Sequence, residues 1–152
     1  KDIDALTLES QKLVNPLPVE VVNDVLRIMD YELSDKVVAV VGRGFLIGKP
    51  IMDWLDGIGV EYSLFHSKSD LSKIKKADLV ITGVGKGGLI KPEMLKPGAG
   101  VIDFGYDLVD GKIKGDFISD ENFAGWYTPT PGGTGPILVA EIFKNFYKLN
   151  KK

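Results

Sequence analysis

Residues 37–50 read V-V-A-V-V-G-R-G-F-L-I-G-K-P, an almost wholly apolar run that breaks into three glycines and a lysine before an amphipathic stretch begins. The pattern predicts a strand, a tight phosphate-facing loop and a helix. A pyrophosphate settles on the free amides of a helix N-terminus only when the backbone comes very close to it. Gly42, Gly44 and Gly48 remove the β-carbons that would obstruct that approach. The spacing is G-x-G-x-x-x-G, one residue longer than the common dinucleotide fingerprint. Taken alone, it leaves an ordinary strand-to-helix turn open.

Working outward, Asn15-Pro16-Leu17-Pro18 precedes a helical pattern in which Val19, Val22, Val25, Leu26 and Met29 share a face, extending to about Asp30. Residues 36–41 form the first predicted strand and residues 48–56 the helix after the loop, with Ile51, Trp54 and Leu55 on one side and Gly57 and Gly59 ending it. Residues 60–65 predict a second strand, and residues 70–76 a short helix capped by Ser69 or Asp70. Residues 79–82 and 100–104 are further apolar strands, separated by a helical turn at 92–95. Asp110-Gly111 sits between two short extended segments and signals a hairpin. Residues 126–128 predict a last strand and residues 137–149 a terminal helix. Apolar strands without alternation imply burial on both faces, and intervening helical segments imply parallel crossovers. The expected fold is α/β: a Rossmann-like, doubly wound, mostly parallel sheet with helices on both faces, in one domain covering residues 1–152.

Composition agrees with a soluble globular domain: 152 residues, 44% hydrophobic and 26% charged. A net charge of -2 gives no general attraction to nucleic acid or to an acidic membrane. Absence of cysteine excludes disulfides and thiolate metal sites, and no run approaches a membrane span or a signal peptide. His66 is the only histidine and, with no cysteine, makes a poor metal site. Lys1 is not preceded by an initiator methionine, so the natural polypeptide is expected to begin upstream.

In an NAD site the second strand usually ends in an acid that binds the adenosine ribose hydroxyls. Here that position reads His66-Ser67, while Arg43, Ser67 and Lys68 are suited to a 2′-phosphate through charge-assisted hydrogen bonds. The expected cofactor is therefore NADP. Arg43 as a solvated loop residue and His66 as a partly buried strand-end residue remain open. Residues 127–136, Y-T-P-T-P-G-G-T-G-P, specify a constrained backbone course of the kind that forms a ligand wall.

V-V-G-R-G-F-L-I-G-K-P, H-S-K-S, A-D-L-V-I-T-G-V-G-K, K-P-G-A-G-V-I-D-F-G and T-P-G-G-T-G-P occur in the order seen in methylenetetrahydrofolate dehydrogenase/cyclohydrolase, and Lys1-Asp2-Ile3-Asp4 resembles that family's K-D-V-D segment. The resemblance covers nearly the whole chain. It implies the cofactor domain and interdomain connection of a cytoplasmic, homodimeric enzyme of one-carbon metabolism. Such an enzyme is both oxidoreductase and hydrolase: it oxidises 5,10-methylenetetrahydrofolate with NADP and hydrolyses the methenyl product to 10-formyltetrahydrofolate.

The resemblance assigns the 2′-phosphate to Arg43 and Ser67 and the phosphate loop to Gly42, Gly44 and Ile47. It assigns backbone contacts with the nicotinamide half to Gly83, Gly85 and Tyr106. Asp4 matches the acid expected to bond the pterin, and Pro131, Gly132 and Gly133 the folate-side wall. The dimer is expected through the sheet edge near the Asp110-Gly111 hairpin. The family's catalytic tyrosine and lysine lie in a separate N-terminal domain, so the isolated chain is expected to bind NADP weakly and to turn over nothing.

Four departures stand out. Gly44 replaces a serine, Ala5 a glycine, Asn15-Pro16-Leu17-Pro18 a P-C-T-P, and Ile137-Leu138 a Met-Thr pair. Loss of two polar side chains near the cofactor would weaken binding by about 1–3 kcal/mol if their partners stay unpaired. Two alternatives stay open. One is another NADP-dependent Rossmann oxidoreductase such as a shikimate-dehydrogenase-like protein; the other is a non-catalytic nucleotide-sensing domain.

Overall fold

A computed structural model describes residues 2–66 and 68–151. Five strands form a parallel sheet in the order β2-β1-β3-β4-β7. They are β1 (Val38–Val41), β2 (Tyr62–Phe65), β3 (Leu79–Thr82), β4 (Gly100–Asp103) and β7 (Trp126–Tyr127). The chain leaves β1 toward β2 on one side and resumes with β3 on the other. The strand order therefore reverses between β1 and β3, which is where doubly wound sheets open a crevice at their carboxyl ends.

β1, β3 and β4 are buried at every position, and their alternate residues feed two separate cores. Val38, Val40, Leu79, Ile81 and Ile102 meet three helices: α1 (Leu17–Ile28), α2 (Gly48–Gly57) and α3 (Thr134–Asn150). Val19, Val22, Val25, Ile51 and Leu55 are the principal helix contributions. Ala39, Val41, Val80 and Val101 face the other way, against Ile74, Ile90, Leu95 and Phe117. Each fully buried aliphatic side chain contributes about 1.5–3 kcal/mol.

The expectation of helices on both faces holds in reduced form. Full α-helices cover one face, and the other is covered by 3-10 turns at Leu71–Lys76 and Pro92–Met94. Pro92, Pro97 and Gly98 leave no room for a longer helix there. Asp70 caps the first of these turns by accepting from the Ser72 amide at 3.0 Å, the role expected of it.

The Asp110-Gly111 hairpin is present as β5 (Asp107–Val109) and β6 (Lys112–Lys114), antiparallel and outside the main sheet, with both turn residues at positive φ. β2 starts two residues later than expected and is half open to solvent, as suits an edge strand. α3 starts three residues earlier than expected, at Thr134. Pro136 falls in its first turn, where a missing amide breaks no intrahelical bond.

Leu55→Ala is expected to cost about 2–5 kcal/mol in urea unfolding, whereas Leu64→Ala, on the exposed edge, should cost under about 1 kcal/mol. Equal losses for the two would contradict the placement of the helix-side core.

Candidate functional site

The turn from β1 into α2 closes on itself through backbone. Gly42 has φ of +96°, and a β-carbon on Gly48 would sit 2.1 Å from the Gly42 carbonyl oxygen. Neither position admits a side chain without moving the chain. Gly83, at the end of β3, fits under Ile47 so tightly that a β-carbon there would lie 2.7 Å from the isoleucine Cγ2. The end of β3 thus forms the floor of the loop. Gly44 differs from the expectation that it too is needed for backbone approach: a β-carbon there meets nothing within 4 Å. The space is open, so a serine side chain fits equally well. At the start of α2 no side chain caps the helix; the Gly44 carbonyl takes the Lys49 amide at 2.9 Å, the Ile47 carbonyl takes the Ile51 amide at 3.2 Å, and Pro50 has no amide to offer.

Beside this turn, at the carboxyl ends of β1, β2 and β3, lies a cleft of about 300 Å³. Its lining joins Gly42, Arg43 and His66 to Val84, Lys86 and Leu89, with Ser69 and Leu71 completing it. Arg43 makes no ion pair among the described residues, whereas Lys49, next along the loop, is paired with Asp53 at 2.6 Å. The free cations at the cleft are therefore Arg43 and Lys86. His66 is exposed, its ring Nδ1 accepts from the Lys68 amide at 3.3 Å, and its main-chain amide donates to Ser69 Oγ at 3.0 Å. The residue does stand at the end of its strand, but it is exposed rather than partly buried as the structural alternative had it. A larger hollow of about 580 Å³ lies over β1, β2 and residues 69–77. It sits beside the strands rather than at the switch point, and size alone does not make it the site.

Of the residues predicted from sequence, Gly42 and Arg43 line the cleft, Ile47 and Gly83 pack against each other beneath it, and Gly85 lies beside the Tyr106 carbonyl. Tyr106 is exposed. Ser67 lies outside the described residues. Asp4, Pro131, Gly132 and Gly133 are not part of this lining. Asp4 is exposed, and its carbonyl accepts from the Leu17 amide at the start of α1. The opening segment is fastened to α3 by Asn145, whose Nδ2 donates to the carbonyls of Ile3 and Asn15 at 3.1 and 3.2 Å. Ala5, standing where the family has glycine, is fully buried with φ of +53°, a conformation that costs a non-glycine residue about 1–2 kcal/mol. Leu138, standing where the family has threonine, packs with Ile137 against the helix-side core.

Two buried carboxylates were not read as site residues from sequence. Asp103 ends β4, accepting from the Gly105 amide at 2.6 Å and the Phe117 amide at 2.9 Å. Asp116 accepts from the Thr82 hydroxyl at 2.6 Å and from the amides of Val84 and Lys86 at 2.7 Å each. Burial pushes the Asp103 carboxyl up to about 6; the Phe117 and Gly105 amides oppose the rise and the neighbouring Asp116 charge adds to it. The signal was present, since Asp103 is the one charged residue in an otherwise apolar strand.

The family description "Tetrahydrofolate dehydrogenase/cyclohydrolase, NAD(P)-binding domain" matches residues 16–152. The chain belongs to this family. A bifunctional protein FolD from Natranaerobius thermophilus is 40% identical over 139 residues, covering 89% of this chain and 49% of that protein. Another from Lactobacillus delbrueckii subsp. bulgaricus is 34% identical over 165 residues, covering 100% of this chain and 58% of that protein. Among solved structures, the FolD enzyme of Campylobacter jejuni superposes with a TM-score of 0.84 at 29% identity, over 95% of this chain and 56% of that one. The Trypanosoma brucei methylenetetrahydrofolate dehydrogenase-cyclohydrolase, complexed with NADP and an inhibitor, gives 0.83 at 28%, over 98% and 58%. The chain spans about half the length of the curated relatives it matches. Membership accounts for the parallel sheet and for glycines gathered at its carboxyl edge.

Gly48→Ala is expected to lose about 3 kcal/mol or more of stability, whereas Gly44→Ser should be neutral within about 0.5 kcal/mol. Thermal melts of the two variants distinguish a turn closed by backbone contact from one that is merely glycine-rich. A second expectation concerns pH. Because Asp103 titrates near 6 when folded and near 3.8 otherwise, its contribution to stability is full below pH 3.8 and lost as pH rises through 6. Asp103→Asn lacks that term. The stability of the parent chain relative to the variant should therefore fall by about 3 kcal/mol between pH 4 and pH 7. Parallel pH profiles in urea unfolding would rule this out.

Proposed function

We propose that this chain is the cofactor-binding part of an enzyme that oxidises 5,10-methylenetetrahydrofolate with NADP and hydrolyses the methenyl product to 10-formyltetrahydrofolate. The observation that carries the reading is the cleft at the β1/β3 switch point, where an arginine that makes no ion pair among the described residues sits on the glycine-closed turn into α2. Its chemistry fits NADP. Gly42 gives the turn its close backbone course, Gly44 and Ile47 offer backbone amides to a pyrophosphate, and Arg43 offers a guanidinium to a 2′-phosphate. Ser67, beyond the described residues, is the second proposed 2′-phosphate ligand. No carboxylate lines the cleft to repel that phosphate. The nicotinamide half would run along the backbone of Gly83, Gly85 and Tyr106. When bound, NADP supplies the hydride acceptor; the work of this chain is to hold it and to exclude water around it.

On the substrate side, Asp4 is proposed to bond the pterin, with Pro131, Gly132 and Gly133 as the neighbouring wall. Residues 1–152 form one cofactor domain, and their opening and closing segments belong to the connection with a catalytic domain. Hydride transfer depends on placing the folate within reach of the nicotinamide, so residues 1–152 alone should bind the cofactor without turnover. We further assign the protein to the cytoplasm and to a homodimer formed through this domain.

Titration with NADP and NAD tests the reading. The parent chain should prefer NADP, and Arg43→Ala should reduce that preference by about 10–100-fold, the equivalent of one charge-assisted hydrogen bond. An undiminished preference in the variant would refute the phosphate assignment.

A further inference from the structure

Asp116 is fully buried, with 0% exposure, and its carboxylate faces donors only. Oδ2 accepts from the Thr82 hydroxyl and the Val84 amide, and Oδ1 from the Lys86 amide. Its main-chain carbonyl accepts from the Ile90 amide at 2.8 Å, so Asp116 holds both ends of the turn that leaves β3 and returns at Ile90, while Asp107 Oδ2 and the Gly115 carbonyl take the Gly87 and Gly88 amides between them. That turn carries glycine at 83, 85, 87 and 88, and a segment so rich in glycine has much conformational freedom to lose. The amides of Val84 and Lys86 find their acceptor in this side chain, and these same two residues line the cleft that Arg43 also lines. Asp103 in turn holds the chain on which Asp116 sits, through the Phe117 amide, and a β-carbon on the intervening Gly115 would lie 2.2 Å from Asp103 Oδ2.

We propose that Asp116 is a positioning residue of the cofactor site. Its carboxylate fixes the Val84-to-Lys86 wall, and with it the width of the cleft that grips the 2′-phosphoadenosine half of NADP. The proposal rests on the cofactor reading above. Only an ionised carboxylate serves three donors without offering one of its own. Asparagine has the same size, yet it turns an N–H toward at least one of those donors and releases that side of the wall. Lys86 then loses its fixed position in the cleft it shares with Arg43, and the hold on the phosphorylated ribose loosens.

The test uses this chain, with NADP and adenosine 2′,5′-bisphosphate as ligands and amide hydrogen exchange read by NMR without ligand. Asp116→Asn should speed exchange at Val84 and Lys86 by about 100-fold while the amides of β1 and β4 stay protected. It should raise Kd for both ligands by about tenfold or more, because the adenosine half is common to them. Val25→Ala, in the helix layer away from the cleft, serves as the control: it should lower the melting temperature without changing either Kd. Should Asp116→Asn fail to fold, Thr82→Val removes one donor of three, and a rise in Kd of about threefold is expected.

Unchanged affinity in the folded Asp116→Asn variant overturns the proposal, as does unchanged affinity in Thr82→Val when it must stand in. An equal loss of affinity in Val25→Ala, matched for stability, does so as well. If the parent chain binds neither ligand although exchange at Lys86 responds as described, the cofactor reading itself falls and the positioning role falls with it.

Discussion

The carbonyl of Gly42 and the α-carbon of Gly48 approach so closely that no side chain can stand between them, and the rest of the site is arranged around that contact. It forces the chain to reverse within one tight turn and brings the start of α2 directly over the carboxyl end of β1. Gly83 then completes the arrangement from below, since its missing side chain lets Ile47 settle against the end of β3. The ladder continues just beyond the strands, with the Gly42 amide bonded to Phe65 and the Gly83 amide to Val41. Three strand ends are thereby locked at one level. A crevice at that level follows from the reversal of strand order between β1 and β3.

The two faces of the sheet are organised by different physics. On the helix side, aliphatic packing among α1, α2 and α3 supplies order, and the connections need little polar support. On the other face the connections are long, poor in helix and rich in glycine and proline, so their backbone amides require other partners. Carboxylates provide them. Asp78 takes the Val37 amide and the Lys96 ammonium, Asp107 the Gly87 amide, and Asp103 and Asp116 the amides of the strand-end turns. An aromatic group of Phe117, Phe123 and Tyr127, with ring centroids 4.9–6.1 Å apart, fills the space beneath. Charged residues that look like surface in the sequence are here internal fasteners.

This difference explains what could be read in advance. β1, β3 and β4 were legible because a strand buried on both faces shows as an unbroken apolar run. β2 was placed less sharply because an edge strand mixes exposed and buried positions without a clean period. The hairpin announced itself through Asp-Gly, a purely local signal. The start of α3 was hidden because Gly133, Gly135 and Pro136 resemble a continuing loop, although proline is well tolerated in a first helical turn. In the site, Arg43 and the loop glycines were legible because their chemistry is local. Asp116 was not, because its partners lie 30 to 34 positions away in the chain and only the folded sheet brings them together.

The same separation between local and distant effects governs charge at the cleft. The chain as a whole is slightly acidic, with a net charge of -2, so long-range attraction does nothing to gather a phosphorylated nucleotide. Attraction has to come from cations within a few ångströms, and only those not already neutralised count. Lys49 is committed to Asp53, one helical turn along α2, while Arg43 and Lys86 line one cleft from loops that belong to different strands. Their separation is a property of the turns that carry them, and an additional phosphate is felt only if both turns hold still. On the cofactor reading proposed above, selectivity for such a group depends as much on the buried Asp116 carboxylate behind the Val84-to-Lys86 turn as on the Arg43 guanidinium.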